Sequence, residues 1–495
     1  MAEPSLGQKI TTGSLWTLLV RWASRLLGIV SVIIIARILL PEDYGLIAKA
    51  IMFSTFIQLM TEFGLLTSLV RNKDATVQDY NTVWTLSLIR GWLLGVIIAA
   101  TAGFWAGFFD EPAIYPVIFA YAAVAVLHGC INVGVVDFQR EMRFDREFRF
   151  TLTARVVEFL VTVTVAISYQ SYWAFPLGSL AGALVKVVLS YWMSRFRPRL
   201  SLASFQQVFN FSKWFFVYES LKAVSIKLDT FLLSKLSTTE NLGLYTVSKE
   251  IAGMPSTEIA MPVARASLPA LAKLVDEQLA FRQLYTQILA SVLFLAIPAA
   301  VGLSLLADHI ILLLLGPNWS GAALFLQILA FVGVTRVNVA CAVSALSAVG
   351  RADLLGRYSF YMLLIKATAM SIGIYLGGAE GLVWGVLLSS LIGMGVIQWI
   401  QRGLGLIDFR LLYRQLWRVL SATVVMVVVV LLLRELPLIA DIGLVGWLSI
   451  PLALIGALSY ALSLFFFCML SRWPDGPEKA LFELTLGRYV SKWSG

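Results

Sequence analysis

Apolar runs of about 20 residues, the length that crosses a bilayer as a helix, recur along the chain with short polar connections between them. The pattern predicts fourteen membrane-spanning helices, near 15–38, 44–66, 83–108, 115–136, 152–168, 173–193, 212–234, 243–268, 284–306, 322–348, 357–376, 381–400, 415–433 and 443–470. Most connections are shorter than about 15 residues, which leaves no room for a soluble domain and puts any function inside the membrane bundle. The connections alternate in charge. One set carries Arg71 and Lys73, then Arg140, Arg143, Arg146 and Arg149, then Arg195, Arg197 and Arg199. It continues with Lys273 and Arg282, Arg351 and Arg357, and Arg402, Arg410 and Arg414. The other set reads PED, DEP, QS, STTEN, ADH, GGAE and ELPLIAD, with almost no Lys or Arg. Basic connections stay cytoplasmic, so both termini are expected inside, as an even number of spans requires.

Two internal echoes organise these helices. ARILLPEDYGL at 36–46 matches SKLSTTENLGL at 234–244, pairing Arg37 with Lys235, Glu42 with Glu240, Gly45 with Gly243 and Leu46 with Leu244 at an offset of 198. REMRFDREFRF at 140–150 matches the residues after span ten at an offset of 208, pairing Arg143 with Arg351, Asp145 with Asp353 and Arg149 with Arg357. The change of offset reads as a ten-residue insertion. Six spans separate the copies, so corresponding helices run the same way. The expected fold is an all-α polytopic membrane protein of fourteen transmembrane helices, N-in and C-in. It consists of two parallel six-helix repeats about a pseudo-two-fold axis along the membrane normal, plus two C-terminal helices. The lobes are expected at 1–205 and 206–405, with 406–495 holding the extra helices and a cytoplasmic tail.

Composition agrees with a membrane protein. Hydrophobic residues make up 59% of the 495 and charged residues only 14%, against about 25% in soluble domains. The net charge of +9 is scattered among apolar spans, without the basic run or face that nucleic acid would need. Cys130, Cys341 and Cys468 lie in apolar stretches and read as packing residues, not as a disulfide or metal framework. A phosphate loop of the GxxxxGK[ST] form and an HExxH zinc motif are both absent, and no catalytic constellation stands out. Neither a cofactor nor a metal is expected, and a transporter is favoured over an enzyme. The polar N-terminus and the length of the first apolar segment argue against a cleavable signal.

The embedded charges carry the functional signal. Span one holds Arg21 and Arg25, four apart on one face; span two Lys49 and Glu62; span three Arg90; span five Arg155 and Glu158; span six Lys186. Span seven holds Lys213, Glu219, Lys222, Lys227 and Asp229, span eight Lys249, Glu250, Glu258 and Arg265, and spans ten and eleven Arg336 and Lys366. Charges in hydrocarbon are costly, so these side chains should face protein or a water-filled cavity. Arg21, Arg25, Lys49 and Lys249 lack an equal number of nearby acids on their own helices, which leaves them as ligands for an anion or as partners across helices. Lys222 joins them as a candidate for the same anion. Glu62, Arg155, Glu158, Glu219, Asp229, Glu250 and Glu258 are candidates for ion coupling or for neutralising pairs, Arg155 and Glu158 at i,i+3. His128 reads as a packing residue. Pro255, Pro262 and Pro269 in span eight mark a bent helix, either a gate or a static kink.

Several ordered segments carry a family resemblance: TTGSLWTLL at the start, ARILLPEDYGL, FSKWFF leading into span seven, MPVARASLPALAKL ending span eight, and LGPNWSGAALFLQIL into span ten. Together they resemble the Wzx-type polysaccharide flippases of the multidrug/oligosaccharidyl-lipid/polysaccharide exporter superfamily, most of all the colanic-acid-type exporters. The resemblance implies a multi-pass protein of the bacterial inner membrane that moves an undecaprenyl-pyrophosphate-linked oligosaccharide across it by alternating access. Implied partners are that lipid-linked oligosaccharide, membrane lipids, and the polymerase and chain-length proteins of the same pathway. Related lipid II flippases place cations on helices one, two and eight, and Arg21, Arg25, Lys49 and Lys249 occupy similar helix positions. A lipid II flippase is the nearest alternative. A drug antiporter fits the basic lining less well, and a membrane glycosyltransferase or polymerase would need a larger loop or a metal-binding acidic pair.

Overall fold

The computed structural model describes residues 6–60, 65–71, 74–206, 224–257, 261–435 and 449–471, and they are helical almost throughout. Nine described helices are long and apolar enough to cross a membrane, ten if the bent pair Ile114–Gly129 and Val133–Arg140 is one span. The chain forms two compact units, Met1–Gly243 and Leu244–Gly495.

Within the first unit the helices are α1 (Leu6–Ala36), α2 (Pro41–Met60), α3 (Leu65–Arg71), α4 (Val77–Ala100) and α5 (Ala102–Phe108). They continue with α6 (Ile114–Gly129), α7 (Asp137–Arg140), α8 (Phe144–Tyr169), α9 (Ala174–Met193) and α10 (224–236), and the unit ends in the first turn of α11 (Thr239–Pro255). A capping box starts α4: Thr76 Oγ1 accepts from Asp79 N while Asp79 Oδ2 accepts from Thr76 N. Helix α6 lies close on α4 because Gly91 faces Gly129; a Cβ at residue 91 would fall 2.6 Å from the Gly129 Cα. Small residues let helix backbones approach in this way where the surrounding solvent is itself apolar. At the end bearing the arginine-rich connections, Arg140 donates to the Tyr80 hydroxyl, which in turn donates to Asp137. Asn132 Nδ2 donates to Phe196 O at 2.8 Å and Arg199 N to Asn81 Oδ1 at 2.8 Å, so the segment after α9 is strapped along the start of α4. The opposite end gathers the PED, DEP and STTEN connections.

The expected fourth span is not one straight helix. It bends by 69° between Gly129 and Val133, where Ser190 Oγ accepts from Asn132 N at 2.9 Å and Asn132 Oδ1 caps Gly134 N at 2.9 Å. Two polar atoms on a neighbouring element and in the turn itself thus take over bonds the helix would have made.

Helix α11 continues into the second unit, which then holds α12 (Met261–Ala272), α13 (Gln278–Leu305), α14 (Ala307–Leu314), α15 (Ala322–Ala348), α16 (Ala352–Gly403), α17 (Phe409–Arg434) and α18 (Ser449–Leu470). At 1.5 Å per residue α16 would extend about 78 Å, more than twice the bilayer core. Gly377 and Gly378 leave helical geometry, with Gly378 at φ 57° and ψ −139°, so α16 is two helical arms that join at the GGAE connection expected from the sequence. The core of this unit lies between α13, α15, the second arm of α16 and the start of α17, around Tyr285, Leu289, Cys341, Ile397 and Leu412. Gln401 Nε2 donates to the Tyr285 hydroxyl there at 2.6 Å.

The echo at offset 208 is present in the backbone. Met142 and Gly350 both lie at positive φ, 55° and 76°. Arg143 and Arg351, which precede α8 and α16, adopt φ, ψ of −91°, 61° and −89°, 52°. Met142 N bonds Gln139 O and Arg143 N bonds Phe138 O, as Gly350 N bonds Ser347 O and Arg351 N bonds Leu346 O. Every one of these atoms pairs with its counterpart 208 positions on.

Candidate functional site

Charged side chains at membrane depth in the first unit collect on α4, α6, α8 and α9. Arg155 and Glu158 form the expected i,i+3 pair, 3.2 Å between Nη1 and Oε2. Lys186 on α9 lies within electrostatic reach of both, and His128 on α6 within reach of Lys186, Arg90 and Arg155. Glu158 packs against α9 through Gly182, where a Cβ would sit 3.3 Å from Oε2. Arg90 Nη2 also donates to Gln58 O of α2 at 3.1 Å. Arg155 and Lys186 therefore share the Glu158 carboxylate, and the His128 imidazole has Lys186, Arg90 and Arg155 around it. Arg155 and His128 are exposed at their surfaces and Arg90 and Lys186 half-buried, and charges at such depth are costly against hydrocarbon. Arg90 and Lys186 were visible in the sequence only as embedded charges, and the helices that unite them with Arg155 are too far apart in the chain for periodicity to register.

Arg21 and Arg25 are both half-buried on α1, which packs along α8, with Trp16 5.0 Å from the Phe148 ring. Lys49 on α2 is buried, 4% exposed. Its Nζ donates to Thr239 Oγ1 at 2.7 Å and lies 3.8 Å from Glu111 Oε2. Thr239 Oγ1 donates onward to Glu111 Oε2 at 3.1 Å. Neither Glu111 nor Thr239 stood out in the sequence, because DEP and STTEN read only as connections. Asp229 on α10 is buried and its Oδ1 accepts from Thr230 N at 2.6 Å. In the second unit Lys249 and Glu250 are half-buried on α11, with Lys249 Nζ 5.5 Å from the centre of the Tyr245 ring. Lys222, Glu62, Glu219 and Glu258 lie outside the described residues. Among the described residues no group of His, Cys, Asp or Glu could hold a metal ion.

Comparison with known proteins places this geometry. Residues 34–324, more than half of the chain, match the family model described as polysaccharide biosynthesis protein. The chain is 24% identical over 394 residues to the lipopolysaccharide biosynthesis protein WzxC of Escherichia coli K12, covering 78% of this chain and 80% of that one. It is 21% identical over 405 residues to the teichuronic acid biosynthesis protein TuaB of Bacillus subtilis 168, covering 80% and 83%. Among solved structures, the lipid II flippase MurJ in an inward closed conformation superposes with a TM-score of 0.73 at 12% identity, over 92% of this chain and 99% of that one. An inward-facing multidrug resistance transporter of the MATE family gives 0.58 at 14% identity, over 77% and 95%. The Wzx-type resemblance read from the sequence is borne out, and the fold is that of the same transporter superfamily.

Proposed function

This chain belongs to the polysaccharide biosynthesis protein family, and from that premise we propose that it is a flippase for an undecaprenyl-pyrophosphate-linked oligosaccharide. It would carry the repeat unit from the cytoplasmic to the periplasmic leaflet of a bacterial inner membrane by alternating access, feeding exopolysaccharide, capsule or O-antigen synthesis. The observation that carries the reading is the excess of cations over carboxylates among the membrane-embedded charges of a multi-pass helical bundle, with Arg155 paired to Glu158 and Lys186 within electrostatic reach of that pair. Guanidinium and ammonium groups match the oxygens of a diphosphate, and an anion crossing a membrane needs that compensation. The names of the relatives, which speak of polysaccharide biosynthesis, support the same class of cargo.

In this reading Arg21, Arg25, Lys49, Lys249 and Lys222 bind the pyrophosphate, and Arg90, Arg155 and Lys186 take acidic or hydroxyl-rich parts of the saccharide. The polyprenyl chain stays in lipid. Lys49 is engaged with Thr239 and Glu111 in the state described, so its share of the cargo belongs to another state. Glu62, Glu158, Glu219, Asp229, Glu250 and Glu258 are the groups for ion coupling. By the duplicated sequence the lobes are put at 1–205 and 206–405 with 406–495 appended, a division different from the compact units Met1–Gly243 and Leu244–Gly495; both termini are cytoplasmic, and a polymerase and chain-length protein act next. Replacing Arg25 and Lys249 together by Gln should abolish polymer export while the protein stays folded in the membrane. Undiminished polymer would reject the assignment. A lipid II flippase is the second reading, favoured by the fold likeness to MurJ; rescue of a strain depleted of its own lipid II flippase would select it.

A further inference from the structure

The two copies of the offset-198 echo touch each other. A Cβ at Gly45 would fall 1.7 Å from Thr239 O, and a Cβ at Gly243 would fall 1.8 Å from Pro41 O and 3.0 Å from Gly45 N. Residue 41 answers to 239 and 45 to 243, so the contact is reciprocal, i to j and j to i, as across a local two-fold axis. Backbone meets backbone, and only glycine fits at either crossing. Around this seam two lysines hold one acidic turn. Lys49 reaches Thr239 and Glu111 as described. Lys235 on α10 bonds Asp110 Oδ2 at 3.1 Å and Phe108 O, with its Nζ 4.9 Å from the centre of the Phe108 ring. One turn further along α2 the seam is closed by Met52 and Ser234, both buried, with Ser234 Oγ 3.7 Å from Met52 Sδ. All three connections involved, PED, DEP and STTEN, belong to the set poor in Lys and Arg, which the charge rule puts outside.

We propose that this seam is the exoplasmic closure of the transport path, with Glu111 and Thr239 as its gating residues and Lys49 as its latch. The inference rests on the transport reading above. The chemistry makes the closure all-or-none: Lys49 is buried in the seam, and its ammonium keeps compensation only while Thr239 and the 110–111 turn stay in place. The carboxylate of Glu111 serves two partners at once, so parting α2 from the 239–243 turn breaks the lysine and threonine bonds together. Because the seam is two-fold, equivalent changes on either side should open it alike.

The test uses the full-length protein in cells, with Cys130, Cys341 and Cys468 replaced by Ala and Met52→Cys as the reporter, labelled by a membrane-impermeant maleimide. The reporter should react slowly in the parent and severalfold faster with Gly45→Ala, Gly243→Ala or Glu111→Gln. The two glycine variants should agree with each other, and Lys49→Glu with Glu111→Lys should return the rate toward the parent's. Rates equal to the parent's in both glycine variants would overturn the proposal. Should the glycine variants fail to accumulate, Met52→Cys with Ser234→Cys joined by a short cleavable bis-thiol reagent decides instead. Polymer export should stop on cross-linking and return on reduction, and export that continues through the cross-linked protein would overturn the closure. Labelling reads the seam whatever the cargo. A parent chain that labels as expected yet restores no polymer to a flippase-deficient strain would therefore sink the cargo reading and leave the closure standing.

Discussion

A buried cation is only as informative as its partners. Lys49 could be picked out of the sequence as an embedded charge, whereas its partner Thr239 lies 190 positions away and leaves no trace in local spacing. The Arg155 and Glu158 pair was legible because i,i+3 neighbours share a helical face; its extension to Lys186, Arg90 and His128 was not, since it spans four helices. A second titratable group sits in α14. His309 is buried, with its Nδ1 unsatisfied, beside Asp308 and Arg434, whose Nη2 and Oδ2 are 3.8 Å apart. Burial first, and the Arg434 guanidinium second, hold the imidazole below its ordinary value of 6.5, against the opposing pull of Asp308. A depressed folded value means that the neutral imidazole contributes stability above about pH 6.5, and that this is lost as pH falls through the folded value. The melting temperature of the detergent-solubilised protein should therefore drop between pH 7 and pH 5, and His309→Gln should flatten the drop. An unchanged slope in the variant would assign the acid sensitivity elsewhere.

Helix ends were legible where turn chemistry is local, and not where a distant side chain sets them. The pair Gly377–Gly378 divides the expected spans eleven and twelve, as the GGAE connection suggested. The 69° bend in span four went unseen because Ser190, in the second crossing after it, and Phe196, just past that crossing, supply the bonds that hold it. Spans two, seven, eight and fourteen fall partly outside the described residues. Gly378 sits in a region of φ, ψ that side chains rarely enter, at a cost of roughly 1–3 kcal/mol, while Gly377 at φ −143° has open space around its Cα. Gly378→Ala should lower unfolding stability by about that amount and Gly377→Ala should leave it nearly unchanged, as measured by denaturant titration in mixed micelles. Equal effects from the two would show that the break is not set by the backbone of Gly378.

At the scale of the whole chain, the sequence echoes were the most far-reaching signal. The copies at offset 208 share hydrogen bonds and dihedrals, and those at offset 198 meet in a reciprocal contact. A duplicated unit puts equivalent turns at equivalent depths, so a seam between Gly45 and Gly243 follows from the duplication itself. What the echoes could not give is which charges gather, because packing between helices of one copy is not repeated in sequence. The central claim is that embedded cations carry an anionic lipid-linked saccharide through this bundle. It is tested most directly by reconstituting the purified protein into liposomes loaded on one leaflet with undecaprenyl-pyrophosphate oligosaccharide, and following its appearance on the other. The parent protein should move the lipid far faster than protein-free liposomes, and the Arg25→Gln, Lys249→Gln variant should not. Movement no faster than in protein-free liposomes, or equal in variant and parent, would contradict the account.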